Sequence, residues 1–405
     1  MQQNQQVNFA IISIYSFPYG LAPTSRTLAY SKGLIENNAR VSIYLPFPTD
    51  NYNSKQNLEN NGSFNSIEYL YTSGRYKSKS KLFRAISVLS GYRKIWGYIT
   101  CWIKIIKNNK KLNIDFLIIS SDYIPNLFIF GLLAKRINAK SIFIFDEYPV
   151  PIRHKLKNKI PIWKENLYKI VLKLIDGYIS ISEKLKIYFC DFVPKKTLVL
   201  STITDISRFK NTNTTISEKI SYICYMGNME LTKDNVDNII NAFSLITNKY
   251  PDLELHLYGR PNTKTLEILK KQVKELNLED KVLFKGKVNY QHVPTVLKNA
   301  KILVSSQPNT LRASGGFPTK LGEYLAAGVP TLITDVGENS KYVKDKIHLY
   351  FSMPDNPEDF ANNIEYILNN YSSALSVAKN GKNFIIDNYS HFKQGEIILQ
   401  FCKTL

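Results

Sequence analysis

GGFPTKLGEYLAAGVP, residues 315–330, sets paired glycines, a lysine (Lys320), an isolated carboxylate (Glu323) and a closing Gly-Val-Pro in a span that reads as loop running into helix. Pro318 suits a first helical turn, where its missing N–H costs nothing. Leu321, Tyr324 and Leu325 continue at helical apolar spacing until Gly328 ends the helix. Lys320 and Glu323, three residues apart, then share one helical face. An ammonium and a carboxylate on one face beside glycines predict a site for a nucleotide diphosphate.

Outward from that stretch, strands and helices alternate. Tyr222–Met226, Leu253–Tyr258, Val282–Phe284, Ile302–Ser305, Thr331–Thr334 and His348–Phe351 read as strands in the second half. In the first half the same reading gives Val7–Ile14, Val41–Leu45, Asp115–Ser120, Ser141–Phe145, Gly177–Ile181 and Leu198–Leu200. This pitch predicts a parallel, doubly wound α/β sheet in each half, with ligands bound beyond the carboxyl ends of the strands. The chain of 405 residues is too long for one ordinary core. A polar break at Ser201–Ser221 places the linker, giving domains over residues 1–205 and 206–385 and a last amphipathic segment, 386–405, able to pack back on the first. Asp50–Ser66, rich in Asn, reads as a mobile loop.

Charge is uneven. Residues 1–200 hold 29 Lys/Arg against 12 Asp/Glu, so +17 of the formal +20 lies there. Such a surface attracts nucleic acid, anionic lipid or phosphorylated substrates; without zinc-finger spacing or an aromatic-basic ribonucleoprotein signature, no nucleic-acid partner is expected. Between Lys79 and Lys111, Leu82, Ile86, Leu89, Tyr92, Trp96, Ile99, Ile103 and Ile106 recur at three- and four-residue steps among lysines. One reading docks this stretch, with Trp96 and Trp102, on an anionic membrane; the plainer one packs the stripe on the sheet. The four cysteines form no CxxC and the histidines no ligand spacing, so reduced core thiols and no metal or cofactor are expected. No basic n-region precedes the first apolar run and no run of about 18 uncharged apolar residues occurs, which predicts a cytoplasmic protein, peripheral on the inner membrane face at most.

Candidate site residues cluster where strands end. After the first strand, Gly20 lets backbone approach a ligand, and Ser25 and Arg26 sit at a helix start suited to an anion or, more plainly, at a tight turn with an exposed arginine. Ser141–Phe145 delivers Asp146 and Glu147, as catalytic carboxylates or as a turn cap and a solvated side chain; His154 reads as a surface residue. In the second half, Gly227 and Asn228 follow the first strand, with Lys233 beyond, and Gly259 follows the second. With Gly315, Gly316, Thr319 and Lys320, they bring glycines and cations to several strand ends, as a diphosphate needs.

In order and spacing these motifs resemble the retaining family 4 glycosyltransferases of GT-B fold, glycosyl transferases group 1. The match runs through YICYMGN (222–228) with Lys233-Asp234, LHLYG (255–259), FKG (284–286), FPTKLGEYLAAGVP (317–330) and TDVGE (334–338), more loosely through SFPYG (16–20), ISE (181–183) and Asp205 with Phe209. The resemblance implies two Rossmann-like domains facing a cleft, acceptor on the first and donor on the second. Glu323 takes the place of the glutamate that binds the ribose hydroxyls. The chain is similar to the subgroup with a Phe-Pro-Ser/Thr-Lys element, whose lysine, here Lys320, meets the donor phosphates. Lys233 matches a diphosphate-contacting lysine, whereas Asn228 stands where that pair has arginine. Gly315 stands where most relatives have a first glutamate, and Asp146-Glu147 where many have His-Asp.

By the same resemblance the chain is expected to be a metal-independent hexosyltransferase that moves a sugar from a UDP- or GDP-sugar to a glycan or polyprenyl-diphosphate-linked acceptor. Its expected setting is capsule, lipopolysaccharide or exopolysaccharide assembly. Asp146, Glu147 and Lys320 are the candidate catalytic groups. Gly20 and Arg26 are expected at the acceptor, and Glu323, Lys320, Thr319, Lys233, Asn228, Gly227, Gly259, Gly315 and Gly316 at the donor. A nucleotide-sugar 2-epimerase shares the fold, but the first loop lacks the Arg-Pro-Glu element of those enzymes. A non-catalytic nucleotide- or glycan-binding relative is the other alternative.

Overall fold

The computed structural model of the chain describes residues 6–50, 59–80, 82, 91–155, 157–210, 221–316 and 319–405. The chain divides into two compact units, Met1–Ile203 with His391–Leu405, and Thr204–Ser390.

In the first unit, β1 (Asn8–Ser13), β2 (Arg40–Leu45), β3 (Asn61–Phe64), β4 (Ile67–Tyr71), β5 (Phe116–Ser120), β6 (Lys140–Phe145), β7 (Gly177–Ser180) and β8 (Lys196–Val199) form one sheet in the order β3-β4-β2-β1-β5-β6-β7-β8. All neighbours pair in parallel except β3 with β4. The order reverses between β1 and β5, the switch point at which such sheets bind ligands. Helices α1 (Ala22–Glu36), α2 (Tyr92–Leu112), α3 (Ile124–Arg136), α4 (Val150–Lys155), α5 (Ile162–Val171) and α6 (Glu183–Phe192) connect the strands. Right-handed crossovers put α2, α3, α5 and α6 on one face, and Cys101, Phe130, Tyr168 and Phe189 from these four helices share one core with Leu117 and Phe143 of the sheet.

The second unit holds β9 (Ser221–Met226), β10 (Leu253–Tyr258), β11 (Val282–Gly286), β12 (Ile302–Ser305), β13 (Thr331–Thr334) and β14 (Tyr350–Ser352), all parallel, in the order β11-β10-β9-β12-β13-β14. This is the doubly wound order, with its switch point between β9 and β12. The helices are α7 (Leu231–Asp234), α8 (Val236–Ile246), α9 (Thr263–Glu275), α10 (Val293–Lys298), α11 (Leu311–Ser314), α12 (Thr319–Ala327), α13 (Asn339–Tyr342), α14 (Pro357–Asn369) and α15 (Tyr371–Tyr389).

The last helix, α16 (His391–Cys402), lies against α1 in the first unit. Two glycines permit the contact: a Cβ on Gly33 would fall 2.0 Å from the His391 carbonyl oxygen, and one on Gly395 2.2 Å from the Gly33 carbonyl carbon. Residues 386–390 belong to the second unit, so the returning segment begins at His391 rather than at 386.

Three expectations change. Part of the polar Asp50–Ser66 stretch is strand, because Asn61–Phe64 pairs antiparallel with Ile67–Tyr71; an Asn-Gly-Ser-Phe segment carries no alternating pattern of its own, and its partner supplies the order. Residues 51–58 of that stretch lie outside the described residues, as do residue 81 and residues 83–90 of the basic segment and residues 211–220 of the linker. The strand read at Leu198–Leu200 runs from Lys196 to Val199. Trp102, read as a membrane anchor, is half-buried against the sheet core. Cys101, Cys224 and Cys402 are buried free thiols, and Cys190 is half-buried.

Candidate active site

In the second unit α12 is pinned across the switch point by one hydroxyl. Tyr324 OH accepts from the Met226 amide at 2.8 Å, at the end of β9, and lies 3.4 Å from the Val304 carbonyl oxygen of β12. One turn earlier on the helix, Lys320 Nζ donates to Asp234 Oδ1 at 2.8 Å and to Tyr225 OH at 3.2 Å, and sits 4.3 Å above the Tyr225 ring. Burial pushes the Asp234 carboxyl upward, but the Lys320 ammonium and the Tyr225 hydroxyl outweigh it and hold the group below the usual carboxylate range. Burial raises the Tyr225 hydroxyl well above its ordinary value, and the charge of Asp234 adds to this.

Glu323 engages a different partner. Its carboxylate accepts from Arg208 Nη1; the guanidinium lies 3.6 Å from the Tyr290 ring centroid and donates from Nη2 to the Tyr290 carbonyl at 2.6 Å. Lys320 and Glu323 therefore leave the helix toward separate ion pairs. A third pair stands close by in the chain: the buried Arg312 of α11 forks onto Glu230, Nη1–Oε1 2.7 Å and Nη2–Oε2 3.3 Å. Each of these three cations is matched by a carboxylate, and Lys233, half-buried next to Asp234, adds a further positive charge.

Gly227 and Gly259 serve close approach, and the N–H groups of all four glycines are engaged within the chain. Gly227 N–H donates to the Tyr258 carbonyl at 2.9 Å, Gly259 N–H to Gly286 at 2.9 Å, Gly315 N–H to Leu311 at 3.2 Å and Gly316 N–H to Ala313 at 3.1 Å. A Cβ on Gly259, whose φ is +145°, would lie 1.7 Å from the Gly227 carbonyl oxygen, and one on Gly227 would lie 2.7 Å from Lys320 Nζ. The ends of β9 and β10 are thus pressed together over the Lys320 ammonium, which only glycine allows. Asn228 is exposed at the same strand end. The side chain of Thr319 lies outside the described residues, as do Phe317 and Pro318.

The first unit gathers a second charged cluster at its own strand ends. Tyr15 follows β1, Asp122 follows β5, and Asp146 and Glu147 follow β6. Arg26 is buried rather than exposed, and its Nη1 donates to Asp146 Oδ2 at 3.1 Å. Arg153 bridges Asp122 and Glu147, at 3.4 Å to each. Burial raises the Asp122 carboxyl, with Arg153 pulling it back, and burial together with Asp146 and Asp122 raises the Tyr15 hydroxyl to about 12. The loop before α1 is tight, with Thr24 Oγ1 donating to the Ser16 carbonyl at 2.6 Å beside Gly20. The His154 side chain lies outside the described residues.

Sequence reasoning did not single out Asp234, Arg208, Arg312 or Tyr225 in the second unit, nor Asp122, Arg153 or Tyr15 in the first. Asp234 stood next to a chosen lysine and Asp122 directly after a strand. Arg208 is joined to Glu323 only by the fold.

Residues 207–384 match the family model of Glycosyl transferases group 1. Mannosylfructose-phosphate synthase of Agrobacterium fabrum is 32% identical over 134 residues, which are 32% of this chain and 28% of that protein. Among solved structures, sucrose-phosphate synthase of Thermosynechococcus elongatus superimposes with a TM-score of 0.73 at 15% identity, over 99% of this chain and 100% of that one. Anabaena HepE in complex with UDP and glucose gives 0.71 at 13% identity, with the same coverage. The second unit is thus similar to the glycosyl transferases group 1 family over residues 207–384, and the two doubly wound sheets have the GT-B fold.

Proposed function

We propose that this chain is a retaining glycosyltransferase that moves a sugar from a UDP- or GDP-sugar to a glycan or lipid-linked acceptor in surface polysaccharide assembly. The observation that carries the reading is the placement of Lys320 and Glu323, one helix turn apart, at the switch point of the sheet that matches the family model. Glu323 would accept from the ribose hydroxyls, fixed by Arg208, and Lys320 and Lys233 would face the diphosphate. As the bond from the anomeric carbon to the phosphate oxygen breaks, negative charge grows on the leaving diphosphate, where fixed cations commonly contribute a few kcal/mol each. The acceptor oxygen bonds the same carbon from the same face, and its proton passes to the departing phosphate oxygen. In the first unit, Asp146 and Glu147 would orient the acceptor hydroxyls, their carboxylates held by Arg26 and Arg153.

The product tests this. With UDP- or GDP-sugar and a polyprenyl-diphosphate-linked acceptor, free nucleoside diphosphate should accumulate together with glycosylated lipid. Isomerised sugar still attached to its nucleotide would indicate the epimerase, and binding without turnover would indicate a non-catalytic relative.

Arg208→Ala should lower nucleotide affinity by about tenfold in calorimetric titration, because an unfixed Glu323 must order on binding and loses a hydrogen bond to a charged group worth about 1.5–3 kcal/mol. Arg208→Lys should recover less than half of that loss, since lysine keeps the charge without the flat fork that rests on Tyr290. Unchanged affinity in Arg208→Ala would remove Arg208 from the site.

A further inference from the structure

Helix α2 has two apolar faces. Cys101 and Ile105 are buried against the sheet, while Ile95, Trp96, Ile99 and Ile103 are exposed, Ile103 by 57%. At about 100° per residue, Trp96, Ile99 and Ile103 fall within about 60° of one another, on the side opposite Cys101 and Ile105. A helix that lies on a sheet and faces water should be polar on that side.

The neighbouring helices extend the surface. Tyr98 of α2 donates its hydroxyl to Asn126 of α3 at 2.6 Å, and α3 in turn packs on α5. Helix α3 exposes Phe128 and Leu132, and α5 exposes Ile162, Trp163 and Ile170, Ile162 by 76%. All three helices lie on the same face of the sheet. In the second unit, by contrast, the outer helix α9 has one large exposed apolar residue, Ile268, among the described residues.

Charge identifies the occupant. Helices α2 and α3 contain no Asp or Glu, but they carry Arg93, Lys94, Lys104, Lys107, Lys110 and Lys111 on the first and Lys135 and Arg136 on the second. The lysines of the last turns of α2 and α3 are exposed beside the apolar stripe. A second copy of the chain docked here about a twofold axis would set these cations against one another, because such an interface pairs a patch with itself. Apolar and aromatic side chains rimmed by lysine fit the boundary between lipid headgroups and acyl chains. Among the described residues no helix is long and apolar enough to cross a membrane, so the surface lies on the bilayer rather than in it.

We propose that the outer face of α2, α3 and α5 is a docking surface for an anionic lipid bilayer, with Trp96 and Trp163 at headgroup depth. The inference does not rest on the donor site and stands or falls separately from it.

The three tryptophans of the chain, Trp96, Trp102 and Trp163, all lie on these helices, so intrinsic fluorescence reports on the surface. The full chain should float with phosphatidylcholine vesicles containing phosphatidylglycerol, and its emission should shift to the blue and be quenched by brominated acyl chains. Replacing Trp96 and Ile99 by Glu should lower the partition coefficient at least about tenfold, as should replacing Lys107, Lys110 and Lys111 by Glu. Both variants should keep the wild-type melting temperature, since the altered side chains are exposed. Absence of binding to the anionic vesicles would overturn the proposal, and so would equal binding to pure phosphatidylcholine. A concentration-dependent dimer that W96E abolishes would overturn it as well, assigning the face to a second copy.

Discussion

Lys320→Met should destabilise the chain by about 3–5 kcal/mol, the usual cost of removing one partner from a buried ion pair. The cause is Asp234, which is 4% exposed and would be left without its ammonium. The loss should depend on pH in a characteristic direction. In the wild type the folded-state Asp234 carboxyl lies below its ordinary value. The pair's contribution is therefore present above the unfolded carboxylate range and is lost as pH falls through the depressed folded value. In Lys320→Met burial, the largest influence, is opposed only by the Lys233 charge and the Tyr225 hydroxyl, so the group rises and acidification should recover part of the lost stability rather than add to the loss. Adding Asp234→Asn should restore most of the melting temperature, because both charges are then gone. It should not restore nucleotide binding if Lys320 also serves the diphosphate. Denaturation of the single and double variants with and without nucleotide separates the two roles of this lysine, and recovery of wild-type binding in the double variant would confine Lys320 to structure.

Glu323→Ala should reduce nucleotide affinity by about 10- to 100-fold, the range expected for one or two hydrogen bonds to a charged carboxylate. The fold itself should tolerate the change better than the loss of Lys320. Glu323 is half-buried rather than enclosed, and Arg208 keeps its contact with the Tyr290 ring and carbonyl. Glu323→Gln should fall between the two, retaining one acceptor oxygen without the charge. Calorimetric titration with nucleoside diphosphate reads this directly. An affinity within twofold of wild type in Glu323→Ala, with the protein folded, would exclude Glu323 as a ribose ligand.

Much of this architecture is legible in the residues. Ser141–Phe145 announces itself by β-branched and aromatic content and Leu253–Tyr258 by a leucine at every second position, and the alternation of such runs with helices leads to two parallel sheets. The hairpin at Asn61–Phe64 does not, because its order comes from Ile67–Tyr71 across the turn. At the candidate site, residue types and spacing point to Lys320 and Glu323 but not to what they touch. Arg208 lies 115 positions before Glu323 and Asp234 86 before Lys320, so no local pattern connects them. The glycines are ambiguous for a related reason: their residue type permits both N–H donation and close backbone packing, and the close approach of Gly227 to Gly259 emerges only with the fold. Helix α2 illustrates the reverse case. Its periodicity is visible, but two apolar faces merge into one irregular stripe until the sheet covers one of them.

The central claim, a nucleotide diphosphate held at the switch point of the second unit, is tested most directly by thermal unfolding with UDP, GDP, ADP and CMP in turn. One nucleoside diphosphate at about a hundred times its dissociation constant should stabilise the chain by roughly 2.7 kcal/mol, and at the same concentration the shift in Glu323→Ala should fall to about 0.4–1.4 kcal/mol. No shift with any of the four, or an equal shift in the variant, would contradict the account.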